Sequence, residues 1–270
     1  MILYFQSGDN MNNSKLHKVY LPYHEKGDRA VWIYVPQYNE GENLPVVYMT
    51  DGQNLFEENS AQFGCWNIEK AVEDEFLKTG RACVIVGIDN GNEWRDNELT
   101  PNGIGTVIMP ESMENYTESE GEIFDDFLMN TVIPFVEQNF PVRTDKNGMA
   151  LCGSSSGGLQ AFFAGIEHSE RFSYVGAFSP AFLLYSRDSW KNYLLSKVRE
   201  DMPYMYIYTG SGDELEQQIF ESVEMLYDLL PEVFYPYDKM NEVILFENCH
   251  NEKAWAEIFP DFLHTFLNMH

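Results

Sequence analysis

Short apolar runs recur along the chain, and most are separated by stretches of helical spacing. The first two, around 17–23 and 29–36, alternate polar and apolar residues and predict antiparallel strands at a sheet edge. The next six are nearly continuous: Leu44 to Thr50, Cys83 to Ile88, Met149 to Cys152, Tyr174 to Phe178, Met205 to Tyr208, and Val243 to Phe246. Runs of this kind suit parallel strands buried on both faces. Helical spacing covers Asn67 to Leu77, Glu120 to Phe140, Gly157 to Glu167, Leu215 to Leu230 and Lys253 to Met269. Strand and helix therefore alternate, which predicts an α/β fold: a mostly parallel central sheet, an antiparallel N-terminal edge, and helices on both faces. In such sheets ligands sit outside the carboxyl ends of the strands. Two connections, from Asn90 to about Ser119 and from Ser179 to about Pro203, exceed what a plain loop needs and are expected to wall a pocket there.

Composition narrows this picture. The chain has 270 residues, 44% of them hydrophobic and 22% charged, which suits one globular domain over 11–270. Residues 1–10 are set apart, because Leu3-Tyr4-Phe5-Gln6-Ser7 reads as a tag remnant and Met11 as a native start. A formal charge of −26 repels nucleic acid and anionic membrane surfaces. No apolar run approaches the ~18–20 residues of a membrane span. The expected location is cytoplasmic, or secreted if a signal peptide has been removed. Cys65, Cys83, Cys152 and Cys249 form no C-x-x-C pair and no zinc-spaced cluster with histidine. They read as free thiols, and neither a metal nor a cofactor is expected.

The sharpest chemical signal is Leu151-Cys152-Gly153-Ser154-Ser155-Ser156-Gly157-Gly158, a G-x-S-x-G motif between a predicted strand and a predicted helix. The central Ser155 occupies a very tight turn, and small residues two before and two after let strand and helix approach closely. Its hydroxyl is then presented at the amino end of a helix, where the Ser156 N–H and the helix dipole favour developing negative charge. Of the histidines after Ser155, His168 ends the next helix, His264 lies inside the last one and His270 is the terminus. His250 follows the last strand in a loop, where a general base must be. The acid is expected just after Met205–Tyr208, where Asp213 and Glu214 follow a glycine-rich turn; the shorter arm favours Asp213, and capping of the next helix is the plain alternative for both. The turn Asp51-Gly52-Gln53 is expected to supply a second backbone donor for an oxyanion, at Gln53, with a polar turn and Asx bend as the plain alternative.

With these residues assembled, the chain resembles the putative-esterase family of α/β-hydrolases, which includes feruloyl and acetylxylan esterases, esterase D and the enterobactin-type trilactone esterases. The resemblance runs from about Lys18 to Leu267 on "VVYMTDGQNLF", "VGIDNGNEWRDNELTP", "LCGSSSGG", "YTGSGDE" and "CHNEKAW". It implies Ser155 as nucleophile, His250 as base and Asp213 as acid, with Glu214 one residue away, and it implies that Trp255 packs near the base. Many members carry His-Gly where this chain has Asp51-Gly52. The expected activity is metal-independent hydrolysis of a small-molecule or oligosaccharide ester, of feruloyl or acetyl type. A siderophore trilactone esterase and a non-catalytic binding module are the alternatives. Aromatic residues in the two long connections, Trp94, Phe182 and Tyr185 foremost, are expected to line the substrate pocket. Nothing in the sequence specifies an oligomer.

Overall fold

The computed structural model describes residues 14–56, 64–108, 113 and 116–269; the segment set apart at residues 1–10 lies outside them. Eight strands form one sheet in the order β1-β2-β4-β3-β5-β6-β7-β8. They are β1 (Lys15–Pro22), β2 (Asp28–Val35), β3 (Val46–Met49), β4 (Val84–Ile88), β5 (Met149–Ser154), β6 (Tyr174–Phe178), β7 (Tyr204–Thr209) and β8 (Met240–Ile244). β1 pairs antiparallel with β2, and β2 antiparallel with β4. All later pairings are parallel.

The helices are α1 (Ile68–Thr79), α2 (Arg95–Glu98), α3 (Gly121–Phe127), α4 (Ile133–Asn139), α5 (Ser156–Glu167), α6 (Arg187–Lys197), α7 (Glu214–Leu229) and α8 (Glu252–Asn268). Residues of β5 alternate between two buried clusters: Met149 and Leu151 face Phe124, Phe162 and Trp190, whereas Ala150 and Cys152 face Trp66, Phe259 and Phe262. Met205 and Ile207 of β7 join the first cluster, Tyr206 and Tyr208 the second. This alternation is why the central strands read as unbroken apolar runs. α5 is buried over nearly its whole length and lies against β5 and β6. Among the described residues, no helix is long and apolar enough to cross a membrane.

Three expectations need correcting. The stretch expected as a helix from Glu120 to Phe140 is interrupted by a π turn at Leu128–Val132, ahead of Pro134 near the start of α4. Proline lacks the N–H that a regular helix needs and clashes with the carbonyl four residues before it, so the ladder widens there. The long connection after Ser179 contains α6, whose Trp190, Tyr193 and Leu194 are buried at i, i+3 and i+4. β8 starts and ends earlier than expected, which leaves Leu245 to His250 as a loop above the sheet.

Candidate active site

Ser155 follows β5 directly and adopts φ 57° and ψ −125°, a backbone conformation that L-residues rarely enter. Strain of this type costs about 1–3 kcal/mol and persists only where the surroundings over-determine it. Its N–H donates to the Phe178 carbonyl at 2.9 Å, and its carbonyl accepts from Leu159 and Ala181. The flanking glycines are required by close contact. A Cβ on Gly153 would lie 2.3 Å from the Gly157 carbonyl oxygen, and one on Gly157 would lie 2.1 Å from Thr50 Oγ1. Ser156 opens α5, so its N–H has no acceptor within the helix.

His250 sits in the loop after β8, and its ring Nδ1 is 2.6 Å from Glu216 Oε2. Glu216 is the third residue of α7 and fully buried. Its other oxygen accepts from Ser179 Oγ at 2.6 Å, from the Gly210 N–H at 2.7 Å and from Thr209 Oγ1 at 3.2 Å. Burial pushes this carboxyl up, but the hydrogen bonds from His250, Gly210 and Ser179 outweigh it and hold the group below the ordinary glutamate range. An ionised Glu216 accepts from Nδ1–H and so directs the Nε2 lone pair away from itself. Trp255 Nε1 donates to Ser179 Oγ at 2.9 Å, and its ring meets the His250 ring edge-on at 5.0 Å. The placement of Trp255 near His250 thus follows the expectation.

The expected acid does not face the imidazole. Asp213 is the N-cap of α7: its Oδ1 accepts from the Glu216 N–H and its Oδ2 from the backbone N–H of His250, both at 2.8 Å. Both oxygens are therefore engaged with main chain, and Asp213 holds the His250 loop rather than its ring. Glu214, the second candidate, is exposed at the first position of the helix. The overlooked signal is the Asp213-x-x-Glu216 spacing. It marks a helix start at which the aspartate is occupied by capping, while the residue at the third helical position turns back over the strand ends. Ser179 is a further residue the sequence does not single out; it is buried, held at φ 42°, and hydrogen-bonded to Glu216.

At the other side of the elbow, Asp51 takes the left-handed conformation (φ 57°, ψ 44°) ahead of the short turn Gly52–Asn54. Its carboxylate is gripped by Arg95, with Nε to Oδ1 and Nη2 to Oδ2 both at 2.7 Å, and it also accepts from Asn90 Nδ2 at 2.6 Å. Arg95 Nη2 reaches the Ser154 carbonyl at 3.1 Å. Asp96 accepts from Ser156 Oγ at 2.8 Å, and the Gln53 side chain accepts from the Asn90 N–H at 3.0 Å. Asn54 Nδ2 donates to Glu252 Oε1 at 3.1 Å. Glu252 is buried, and burial together with the nearby Asp51 pushes its carboxyl above the ordinary range.

The expected aromatic lining is largely absent. Phe182 is 0% and Tyr185 1% exposed. Both pack edge-on against Trp190, and the Tyr185 hydroxyl donates to the Pro101 carbonyl. They belong to the core that seats α6 on the sheet. Trp94, beside Arg95, is 57% exposed and is the one member of that trio with an open ring face.

Comparison with known proteins gives the family and the fold. The family model described as "Putative esterase" matches residues 24–223. A relative in Bacillus subtilis (strain 168), described as "Uncharacterized protein YbbA", is 23% identical over 245 residues, covering 87% of this chain and 91% of the relative. Among solved structures, a ferulic acid esterase superposes with a TM-score of 0.69 at 18% identity, covering 96% of this chain and 100% of that one. An enterochelin esterase from Shigella flexneri superposes with a TM-score of 0.71 at 17% identity, covering 94% of this chain and 58% of that one. These superpositions establish the α/β-hydrolase fold.

Proposed function

Because the chain belongs to the putative esterase family and is a carboxylic ester hydrolase, we propose that it works through a Ser155–His250–Glu216 triad on neutral esters, of feruloyl or acetyl type, carried by plant-cell-wall oligosaccharides. The observation that carries this reading is the His250 ring seated on a buried, ionised Glu216. Both lie at the same sheet end as the strained Ser155, beyond β5, β7 and β8.

In the proposed reaction Ser155 Oγ attacks the ester carbonyl carbon while His250 Nε2 takes the hydroxyl proton. Glu216 holds the opposite ring nitrogen protonated and stabilises the imidazolium. The former carbonyl oxygen becomes an oxyanion facing the Ser156 and Gln53 N–H groups. Collapse breaks the bond to the alcohol, which leaves with the proton from His250. Water then attacks the acyl-enzyme, with His250 as base, and releases the acid and Ser155.

Neutral substrates are favoured by charge. Asp51, Asp96 and Glu252 surround the elbow and the Gln53 turn, and the one guanidinium among them, Arg95, is paired with Asp51 and Asp96. On a chain of charge −26, a polyanionic ester such as an iron-loaded catecholate trilactone is repelled. The open face of Trp94 suits a phenolic or sugar ring. The test is kcat/KM for methyl ferulate, an acetylated xylo-oligosaccharide, and a catecholate trilactone with and without iron. Turnover of the first two with the iron-loaded trilactone slowest is expected. Preference for the iron-loaded trilactone would move the reading to siderophore hydrolysis, and no hydrolysis of any ester would end it.

A further inference from the structure

One long side chain near the elbow joins two segments far apart in sequence. Arg95, at the start of α2, grips Asp51 through two parallel hydrogen bonds of 2.7 Å and also donates to the carbonyl of Ser154, the residue before the nucleophile. Its neighbour Asp96 accepts from the Ser156 hydroxyl. Asp51 opens the turn that carries Gln53, and Ser156 follows the nucleophile. One guanidinium and the next carboxylate therefore hold both segments from which the two oxyanion donors come.

We propose that Arg95 is the positioning residue of the oxyanion hole, clamping the Asp51–Gln53 turn to the Ser154–Ser156 elbow so that two amide N–H groups converge on one oxygen. The inference rests on the ester-hydrolase reading of Ser155 and adds to it a division of labour within the site.

Three features of the geometry favour a clamp over a substrate-binding cation. First, the fork is spent: Nε and Nη2 face Asp51, Nη1 faces Asp96 at 3.4 Å, and Nη2 is shared with Ser154. Second, the carboxylate it holds is 6% exposed, so the pair lies in a setting where a planar bidentate contact fixes direction as well as distance. Third, Asp51 turns the chain in the left-handed conformation that aspartate tolerates, and its carboxylate is fixed in direction by Arg95 together with Asn90 Nδ2.

The clamp acts on transition-state stabilisation rather than on binding, because a carbonyl oxygen gains most from converging donors once it carries charge. Displacement of a reacting group by about 1 Å costs about 10²-fold. The variant Arg95→Ala is expected to lower kcat for an oxygen ester on the order of 10²-fold while KM shifts little. A matched thionoester, whose sulfur accepts hydrogen bonds weakly, is expected to slow far less, so the oxygen-to-sulfur rate ratio should collapse. Lysine keeps the charge and loses the fork, so Arg95→Lys should recover little of the rate. Added guanidinium should recover part of it in Arg95→Ala.

Arg95→Ala leaves a buried aspartate without its partner, so the double variant Arg95→Ala/Asp51→Asn is measured beside it. It removes both charges and still unties the turn, and the same collapse of the ratio is expected. An unchanged oxygen-to-sulfur ratio in a folded double variant overturns the proposal, as does an equal loss on both esters. Those outcomes leave the esterase reading intact. That reading fails on a different result, namely wild-type turnover by Ser155→Ala.

Discussion

Replacing Glu216 by glutamine separates the acid on the imidazole from the acid that caps the helix. Glu216 Oε1 accepts from Ser179 Oγ, the Gly210 N–H and Thr209 Oγ1. Those donors fix the orientation of a glutamine at this position: its carbonyl oxygen must face them, and its NH2 group must therefore face His250 Nδ1 across the 2.6 Å contact. A donor facing Nδ1 selects the tautomer with the proton on Nε2, which cannot take a proton from Ser155. The corresponding change of aspartate to asparagine in a Ser-His-Asp enzyme costs about 10⁴-fold in kcat, or about 5 kcal/mol of barrier, and Glu216→Gln is expected to approach that loss with little change in fold. Asp213→Asn keeps one acceptor and weakens the cap and the hold on the His250 N–H. It should cost about 1 kcal/mol of stability and less than about tenfold in rate. The assay is kcat/KM on one activated ester, with thermal unfolding of both variants. Inactivation by Asp213→Asn with a near-normal Glu216→Gln enzyme would refute the assignment of the acid, although not that of the nucleophile.

Gly157→Ala places a Cβ 2.1 Å from Thr50 Oγ1 and 2.9 Å from Asp51 Oδ2, so it should cost about 1–3 kcal/mol in a denaturant titration and lower kcat by moving the elbow. The pH dependence of stability should carry two contributions of opposite sign. Glu216, held low in the folded state, stabilises the protein above the ordinary glutamate value of about 4.3, and that contribution is lost as pH falls through the folded value. For His168, burial lowers the imidazole pKa but the Asp125 carboxylate raises it further, so the net value is high and its contribution is present below about 6.5 and lost as pH rises through the folded value. The difference in urea midpoint between wild type and His168→Gln should accordingly be larger near pH 5.5 than near about pH 9, and an equal difference at both would contradict it.

Much of this site is legible in the chain because local chemistry dictates it. The elbow at Gly153–Gly157 announces itself, since only those residue types permit the turn and the contact with Thr50. His250 stands out by order along the chain and by its loop. The acid was harder to read. Asp213 has the type and placement expected of the acid, yet a helix start needs a side-chain acceptor, and that need takes its carboxylate. Glu216, three residues on, looks like an ordinary residue of a first helical turn until the pairing of β6 with β7 brings Ser179 against it and the loop after β8 brings His250. Those two contacts are non-local, and no short window contains them. The aromatics failed for a related reason. Phe182, Tyr185 and Trp190 sit in a connection that reads as loop, but the i, i+3, i+4 spacing of Trp190, Tyr193 and Leu194 folds it into α6 and turns the rings into core. Trp94 stays open beside Arg95, in a segment too short to bury it.

Covalent labelling distinguishes Ser155 as the nucleophile from every other serine of the chain. A fluorophosphonate probe reacts with a serine activated by a general base and leaves a stable phosphonyl ester on its oxygen. The protein is treated with the probe, its intact mass is measured, and the modified residue is located by peptide mapping. A single adduct on Ser155, loss of ester hydrolysis in step with labelling, and no adduct in Ser155→Ala are expected. Labelling at a different serine with loss of activity, or undiminished hydrolysis by Ser155→Ala, would contradict Ser155 as the nucleophile.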